Sequence, residues 1–186
     1  MESLHFHRLR ARRWRHLTTG EIAIASLLFR DAVDYGRVRI YRRRYMPFQP
    51  KNCAMSPNGA IYFHQSCCLL DFSTGSEQAR HWFMHEMTHV WQHQLGYPVR
   101  LRGAIRLGLS YRYRLAQDKN LSDFNMEAQG DVLADYFALK FLHSATPMRQ
   151  PHYADQLALF ETVLANFRAD PSDIGNLPKG ILTRLR

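Results

Sequence analysis

Apolar residues recur at intervals of three and four along much of this chain, the spacing that places them on one face of a helix. The pattern predicts helices in four segments: LTTGEIAIASLLFRDA (17–32), TGSEQARHWFMHEMTHVWQHQLG (74–96), SDFNMEAQGDVLADYFALKFLH (122–143) and YADQLALFETVLANFRA (153–169). Thr18 and Glu21 have the spacing of a capping box, as do Thr74 and Glu77. These signals mark the starts of the first two helices.

Two other segments have the patterns of strands. In RVRIYRRR (37–44) apolar residues alternate with arginines, and CAMSPNGAIYFH (53–64) carries a turn signal, SPNG, between two arms. We therefore expect an α+β fold with a small antiparallel sheet formed by residues 37–44, 53–55 and 60–64. This sheet should pack on the second helix, and the third helix should cross behind it.

The length and composition predict a single globular domain. The chain has 186 residues, 46% of them hydrophobic and 22% charged. We expect the domain at residues 17–170, between a basic arm (1–16) and an irregular tail (171–186). No apolar run approaches the roughly 18 residues of a membrane-spanning helix, and the N-terminus lacks the apolar core of a secretory signal. The protein is expected to be made in the cytoplasm. Delivery by a specialised secretion system would not require an N-terminal secretory signal.

Positive charge dominates the sequence. The formal net charge is +9, and Arg42, Arg43 and Arg44 form one cluster. Such arginines either form a solvated surface or bind an anionic partner, such as nucleic acid, an anionic membrane or an acidic protein. No nucleic-acid-binding motif accompanies them, so nucleic acid is the least favoured of these partners.

The second predicted helix carries histidines at a strict interval of four: His81, His85, His89 and His93. On a helical wheel His85 and His89 lie about 40° apart, beside the apolar arc. With Glu86 they form HEMTH, the HExxH pattern in which two imidazoles bind zinc and the glutamate acts as general base. The alternative is a polar helix face, which the caps and the apolar arc disfavour.

A catalytic zinc site needs a third protein ligand. The pattern HExxHxxGxxH is excluded, because Gln92 and Leu95 stand where it requires Gly and His. His81 and His93 lie one further turn away in either direction, too far along the helix axis for the same ion. Surface or second-layer roles are therefore expected for both.

The third predicted helix offers a better donor. Its acids Glu127, Asp131 and Asp135 fall within the apolar face, where an unpaired carboxylate is costly. A zinc ion would satisfy Glu127, and Asp131, one turn further on, can hydrogen-bond the outer nitrogen of a ligand histidine. The alternative is that these acids lie on a mixed helix face.

An HExxH sequence followed by Glu127 and Asp131 on a later helix resembles the gluzincin metallopeptidases. The resemblance implies a Zn2+ ion bound by His85, His89 and Glu127. It also implies that Glu86 is the catalytic base and that Asp131 orients a histidine ligand.

The same resemblance implies how substrate is held. An edge strand before the zinc helix binds peptide by strand addition, and residues 60–64 occupy that position, with Ala60, Tyr62 and His64 facing the cleft. A His or Tyr from a later segment stabilises the oxyanion. Nothing in the sequence selects among the candidates, which are His152, Tyr153, Tyr111 and Tyr113.

The run from residue 17 through HEMTHVWQHQ also resembles small bacterial vgr-related proteins and, more loosely, metallopeptidase-like domains of bacterial polymorphic toxins. These likenesses extend to about residue 142 and imply an association with type VI secretion.

The leading hypothesis is a zinc metallopeptidase that acts as a type VI secretion-associated effector on a protein or cell-wall peptide. A secretion-machine component or an immunity protein would be its partner. One alternative is a non-catalytic accessory or adaptor protein of a secretion system that keeps a zinc site for stability. Another is an anion-binding module that uses the arginine clusters and whose histidines are structural.

Overall fold

The computed structural model describes residues 14–51, 53–105 and 109–179. Its strands are β1 (Trp14–His16), β2 (Arg39–Tyr41) and β3 (Ile61–Tyr62). Its α-helices are α1 (Thr19–Phe29), α2 (Glu77–Gln94), α3 (Val99–Ile105), α4 (Met126–Phe137), α5 (Leu157–Val163) and α6 (Ala165–Ala169). A π-helical turn, Ala138–Leu142, extends α4. The predicted α+β class is confirmed.

The three strands form a mixed sheet in the order β1–β2–β3. β1 pairs antiparallel with β2, and β2 pairs parallel with β3. The predicted antiparallel arrangement is therefore wrong for the second pair, because the long connection after Tyr41 carries the chain back before β3 begins. β1 lies in the segment predicted as an N-terminal arm, whose residues 1–13 fall outside the described ranges.

The predicted hairpin at residues 53–64 forms around one pair of residues. Met55 and Tyr62 make an antiparallel bridge in which the N–H of each donates to the carbonyl of the other, at 3.2 and 2.9 Å. The 53–56 segment therefore covers the outer side of β3, so β3 is paired on both sides at Tyr62. The prediction that residues 60–64 form an exposed edge is wrong, because the first arm of the hairpin occupies that edge.

Helices α2 and α4 lie side by side in the centre of the domain and are buried along most of their length. Three histidine–carboxylate pairs join them, and we call this set the histidine–carboxylate ladder: His81–Asp135, His85–Asp131 and His89–Glu127. Residue numbers rise along α2 as they fall along α4, so the two helices run antiparallel.

The start of α2 differs from the prediction. Ser76 caps the helix, its hydroxyl oxygen accepting from the backbone N–H of Ala79 at 3.2 Å. The predicted capping box of Thr74 and Glu77 is wrong, because the Thr74 hydroxyl donates instead to the carbonyl of Asp71.

Aromatic residues fill the core between α1, α2 and α6. Trp91 packs against Phe29 and Phe167, and its indole N–H donates to the carbonyl of Pro171 at 2.8 Å. This bond fixes the start of the predicted irregular tail to the core. Residues 180–186 of that tail lie outside the described ranges.

The capping box predicted at Thr18 and Glu21 is confirmed, and it encloses a fully buried carboxylate. Glu21 accepts two hydrogen bonds from the Arg15 guanidinium, both 2.6 Å long. It also accepts from the backbone N–H groups of Thr18 at 2.9 Å and Phe72 at 2.8 Å. One carboxylate thus ties β1, α1 and the segment before α2 together.

Substitution of this carboxylate tests its importance for stability. Glu21→Ala should lower the free energy of unfolding by about 3–5 kcal/mol, because it leaves the Arg15 charge and two backbone N–H groups without their acceptor. Asp155→Ala, at an exposed acid, should change it by less than about 0.5 kcal/mol. Urea unfolding of both variants measures the difference, and equal midpoints would contradict the prediction.

Candidate metal centre

The HExxH segment lies wholly within α2, which projects His85 and His89 from one side, one helical turn apart. Glu127 enters from the first turn of α4, a turn that the Asn125 side chain caps by accepting from two backbone N–H groups. The Nε2 atoms of His85 and His89 are 3.1 Å apart, and the Glu127 Oε2 atom lies 3.4 and 3.3 Å from them. The structure thus brings together the three side chains that the sequence predicted as ligands.

This triangle has the dimensions of one face of a tetrahedral metal site. Donor atoms bound at about 2.0–2.1 Å to a tetrahedral ion lie about 3.3 Å from one another. Within the described ranges, His85, His89 and Glu127 are the one group of three or more such side chains close enough to hold a single ion. The donor set, two imidazole nitrogens and one carboxylate oxygen, therefore fits a metal ion without rearrangement.

Hydrogen bonds to the outer nitrogens fix the orientation of both imidazoles. Nδ1 of His85 lies 2.8 Å from Oδ1 of Asp131, and Nδ1 of His89 lies 2.9 Å from Oε1 of Gln92. Both oxygens are acceptors, so each Nδ1 carries the proton and donates. The Nε2 lone pairs then face each other and Glu127, an arrangement that a cation between them stabilises.

Gln92 was missed as a site residue by the sequence reasoning, which used it only to exclude another ligand pattern. Its amide group donates to the carbonyl of Met126 at 3.2 Å and to Oε1 of Gln129 at 2.8 Å. These bonds turn its oxygen towards His89. The feature that identifies Gln92 as a site residue is its complete burial within α2. Burial is known only from the structure.

The electrostatic field of the site favours positive charge. Burial opposes a charged imidazole, but the carboxylates of Asp131 and Glu127 outweigh it and raise the pKa of His85 to about 10. Burial likewise opposes a charged Glu127, yet His89 and His85 outweigh it and lower the pKa of Glu127. The same attraction that retains protons here favours a metal cation that displaces them.

Glu86 lies beside this triangle and is not part of it. Its side chain is buried, and Oε2 accepts a hydrogen bond from the Ser56 hydroxyl at 2.7 Å. Glu86 and His85 line a cavity of about 450 Å³. The carboxylate is thus fixed at the wall of an open space next to the ligand set, as a base that acts on a water molecule requires.

Of the four candidate oxyanion donors, Tyr111 alone lines this cavity. Its ring lies 6.0 Å from the His85 ring, and the Arg149 guanidinium lies 5.6 Å from the Tyr111 ring centre. Burial and the nearby Glu127 charge raise the pKa of Tyr111, so its phenol remains a hydrogen-bond donor. The cavity therefore presents one phenol and one guanidinium close to the ligand set.

The other three candidates have different contacts and do not line the cavity. The Tyr113 hydroxyl donates to Asp135 at 2.6 Å, and the Tyr153 hydroxyl accepts from the Leu115 backbone N–H at 3.0 Å. Both tyrosines are buried, and their hydroxyls are engaged in holding the core together. His152 is exposed and packs on the ring of Tyr153, away from the cavity.

His81 and His93 lie outside the triangle, as expected. Nε2 of His81 lies 2.6 Å from Asp135, and the same carboxylate accepts from the backbone N–H groups of Arg149 at 2.8 Å and Gln150 at 3.1 Å. This rung of the ladder therefore positions the loop that carries Arg149 into the cavity. His93 is exposed and lies against Gly59.

The residues predicted to face the cleft do not line it. Tyr62 is 5% exposed and stacks on Tyr41, and Nδ1 of His64 bonds the Ser66 hydroxyl. Ala60 precedes β3 and, like the other two, is absent from the cavity wall. Residues 53–56 form that part of the cavity wall instead, because they pair with the outer side of β3. Cys53 and Ala54 line the cavity, and the Ser56 hydroxyl donates to Glu86.

Gly130 allows His85 to reach its position. A Cβ atom at residue 130 would lie 2.6 Å from Cε1 of His85, closer than two carbon atoms can approach. Nothing in the sequence singles out this glycine, and glycine within a helix normally lowers stability. Its function follows only from the packing of α2 against α4.

This domain is similar in sequence and structure to a known protein, VgrG2b. No protein-family model matches the chain. It is 46% identical over 133 residues to the type VI secretion system spike protein VgrG2b of Pseudomonas aeruginosa, a match that covers 68% of this chain and 13% of the spike protein's length. The solved structure of the effector domain of Pseudomonas aeruginosa VgrG2b matches with a TM-score of 0.67 and 40% identity, over 81% of this chain and 83% of that domain.

The fold and site thus define an α+β domain in which two antiparallel helices bring two imidazoles and a carboxylate to one point. The chain belongs to the family of the VgrG2b effector domain. Within the described ranges, no helix is both long and apolar enough to cross a membrane.

The assignment of Tyr113 to the core can be tested against Tyr153, a second buried tyrosine stacked on it. Tyr113→Phe should lower the free energy of unfolding by about 1.5–3 kcal/mol, because its hydroxyl bonds a charged carboxylate. Tyr153→Phe removes a bond to a neutral amide and should cost about 0.5–1.5 kcal/mol. Urea unfolding of the two variants compares these losses. A smaller loss for Tyr113→Phe would contradict the assignment.

Proposed function

We propose that this domain is a zinc-dependent peptide hydrolase that acts as a type VI secretion effector. The observation that carries the proposal is the triangle of His85, His89 and Glu127, with sides of 3.1 to 3.4 Å, beside a buried glutamate. Two imidazoles and one carboxylate, with the fourth tetrahedral position left open for water, are one of the ligand sets of catalytic zinc.

When bound, zinc would polarise the scissile carbonyl and lower the pKa of a water molecule towards neutrality. Glu86 accepts the proton of the attacking water and returns it to the leaving nitrogen. The Ser56 hydroxyl, 2.7 Å from Glu86, holds this carboxylate in one orientation. Asp131 and Gln92 keep the two imidazoles aimed at the ligand centre.

Tyr111 is the side chain that we assign to the oxyanion. It reaches the cavity from the side of His85 and keeps its phenol proton. A phenol donor aimed at the developing negative charge stabilises the transition state more than the substrate. Tyr113, Tyr153 and His152 have other contacts and take no part in this step.

The 53–56 segment is the edge that we assign to the peptide substrate. Met55 directs its N–H and carbonyl to Tyr62. In an antiparallel pair of strands, the residues on either side of a bonded residue direct their backbone N–H and carbonyl groups to the opposite side. The backbone N–H and carbonyl groups of Ala54 and Ser56 therefore point away from β3. An extended peptide that pairs with them lies along the cavity wall next to Glu86.

Membership of the VgrG2b effector-domain family supports delivery through a type VI spike, on which such a domain is carried. The substrate would then be a protein or a cell-wall peptide, and an immunity protein would protect the producing cell. The alternative, an accessory protein that keeps zinc without catalysis, shares the same ligands. The two functions differ in the role of Glu86, which is the catalytic base in the hydrolase and has no catalytic role in the accessory protein.

Glu86→Gln separates these functions. The wild-type protein should bind about one zinc ion per chain and cleave fluorescein-labelled casein or purified cell-wall peptide. Glu86→Gln should retain the zinc and the fold while the rate falls by roughly 10²–10⁴, because the amide cannot accept the proton. Glu77→Gln, on the same helix outside the cavity, is the matched control and should be unchanged. A zinc-loaded wild type that cleaves neither substrate would favour the accessory role, and equal rates for Glu86→Gln would exclude the mechanism.

Gly130→Ala tests the geometry of the metal ligands without replacing any of them. Its methyl group displaces the His85 ring, so zinc affinity should fall by roughly 10- to 100-fold, the range seen when the support of a ligand is lost. Gly103→Ala is the control, since a Cβ atom there meets nothing within 4 Å. Competition with a chromogenic chelator measures both affinities. Unchanged zinc affinity in Gly130→Ala would contradict the close packing of Gly130 against a ligating His85 ring.

A further inference from the structure

The connection after β2 presents three consecutive apolar residues to solvent. Phe48 is 95% exposed and Met46 is 50% exposed, and Pro47 between them is also exposed. Isolated exposed apolar residues are normal on a protein surface, but a phenylalanine with almost its whole surface in water beside two other apolar residues marks an interaction site. We call residues 42–51, which contain this tip, the RRRYMPFQPK loop.

A buried amide folds this loop. Gln49 is 4% exposed. Its Oε1 accepts from the Tyr45 backbone N–H at 2.7 Å, and its Nε2 donates to the carbonyls of Cys53 at 2.8 Å and Tyr62 at 3.2 Å. The Gln49 N–H also closes a turn onto the Met46 carbonyl. The apolar tip is therefore held outward by the fold of the loop.

Basic residues flank the tip in the sequence, and acids are absent from this part of the chain. Between Asp34 and Asp71 the chain has five arginines and one lysine and no aspartate or glutamate. Arg42, Arg43 and Lys51 are exposed. In the part of the chain that the structure describes, none of these cations has a carboxylate within ion-pair distance. Their charge is left for an external anion.

We propose that the RRRYMPFQPK loop docks the domain on an anionic lipid bilayer. Phe48 and Met46 enter the boundary between headgroups and acyl chains, while Arg42, Arg43 and Lys51 contact the lipid phosphates. An apolar layer beneath a layer of negative charge is the surface that matches an apolar tip flanked by exposed cations. A nucleic acid or an acidic protein segment would satisfy the cations, and a base would stack on Phe48 alone, but neither supplies an apolar layer that takes up Met46, Pro47 and Phe48 together.

The loop also borders the candidate site. Gln49 bonds the Cys53 carbonyl, and Cys53 belongs to the 53–56 segment that lines the cavity beside Glu86. Docking through the tip therefore holds that cavity close to the bilayer surface. The docking surface consists of residues outside the ligand set, so membrane binding does not depend on the proposed catalysis.

Co-sedimentation of the full chain with vesicles tests this. The wild type should bind vesicles of equal parts phosphatidylglycerol and phosphatidylcholine, and bind pure phosphatidylcholine vesicles weakly. Phe48→Ser should weaken binding to the anionic vesicles roughly ten-fold or more, because the largest inserted side chain is lost. The pair Arg42→Ser and Arg43→Ser should weaken it about twenty-fold, since each cation near an anionic surface contributes about five-fold.

Two matched controls lie elsewhere on the surface. Ile174→Ser removes another exposed apolar residue, 67% exposed, and Arg100→Ser removes another exposed arginine. Both should bind as the wild type does. Glu127→Gln should also bind normally, which separates failure of docking from failure of the metal site. Losses in these variants as large as in Phe48→Ser would overturn the assignment to this loop.

Phe48→Trp reports insertion directly. Vesicles with brominated acyl chains should quench its added fluorescence, measured as the difference from the wild type with its own tryptophans. Bound protein without quenching would overturn the proposal. Failure to bind vesicles together with tight, Arg42- and Arg43-dependent binding of single-stranded DNA or polyglutamate would assign the loop to a nucleic acid or an acidic protein instead.

Discussion

The histidine–carboxylate ladder between α2 and α4 is the constraint on which the rest of this domain depends. Three carboxylates spaced by four residues on α4 face three histidines spaced by four on α2. Each acid is buried or nearly so, and a buried carboxylate without a partner is costly. Shifting one helix by a turn would leave at least one imidazole and one carboxylate unpaired. The ladder therefore fixes the register and the separation of the two central helices.

The three rungs differ in how fully they are satisfied, and this difference creates the site. Asp135 accepts from His81, from Tyr113 and from two backbone N–H groups, and it serves the fold. Asp131 uses one oxygen to orient His85, and its other oxygen lies 3.6 Å from Nε of Arg149. At the last rung Glu127 faces two imidazole nitrogens that converge on it. The lone pairs of these two nitrogens and of the Glu127 oxygen converge at that end of the ladder, so a cation can bind between them.

The walls of the cavity beside His85 and Glu86 are built by segments outside the two central helices. The 53–56 segment, paired to β3, supplies Ser56 to Glu86 and forms one wall of the cavity. Asp135 holds the backbone of Arg149 at another wall, where its guanidinium lies over Tyr111. The RRRYMPFQPK loop is fastened to the first of these walls through Gln49. A single small sheet thus connects the proposed catalytic centre with the proposed membrane-docking tip.

Features that depend on local geometry could be predicted from the amino-acid sequence alone. Helical periodicity located the long helices, and spacings of four residues selected His85, His89, Glu127 and Asp131, because residues one turn apart share a helix face wherever the helix lies. The tertiary structure decided what depends on which distant segments meet. It paired β2 with β3 in parallel and placed Met55 over the edge assigned to substrate. It also placed Tyr111, alone among the four candidates, at the cavity wall and brought Gly130 against the His85 ring. These outcomes follow from side-chain contacts across tens of residues, and no spacing within the sequence encodes them.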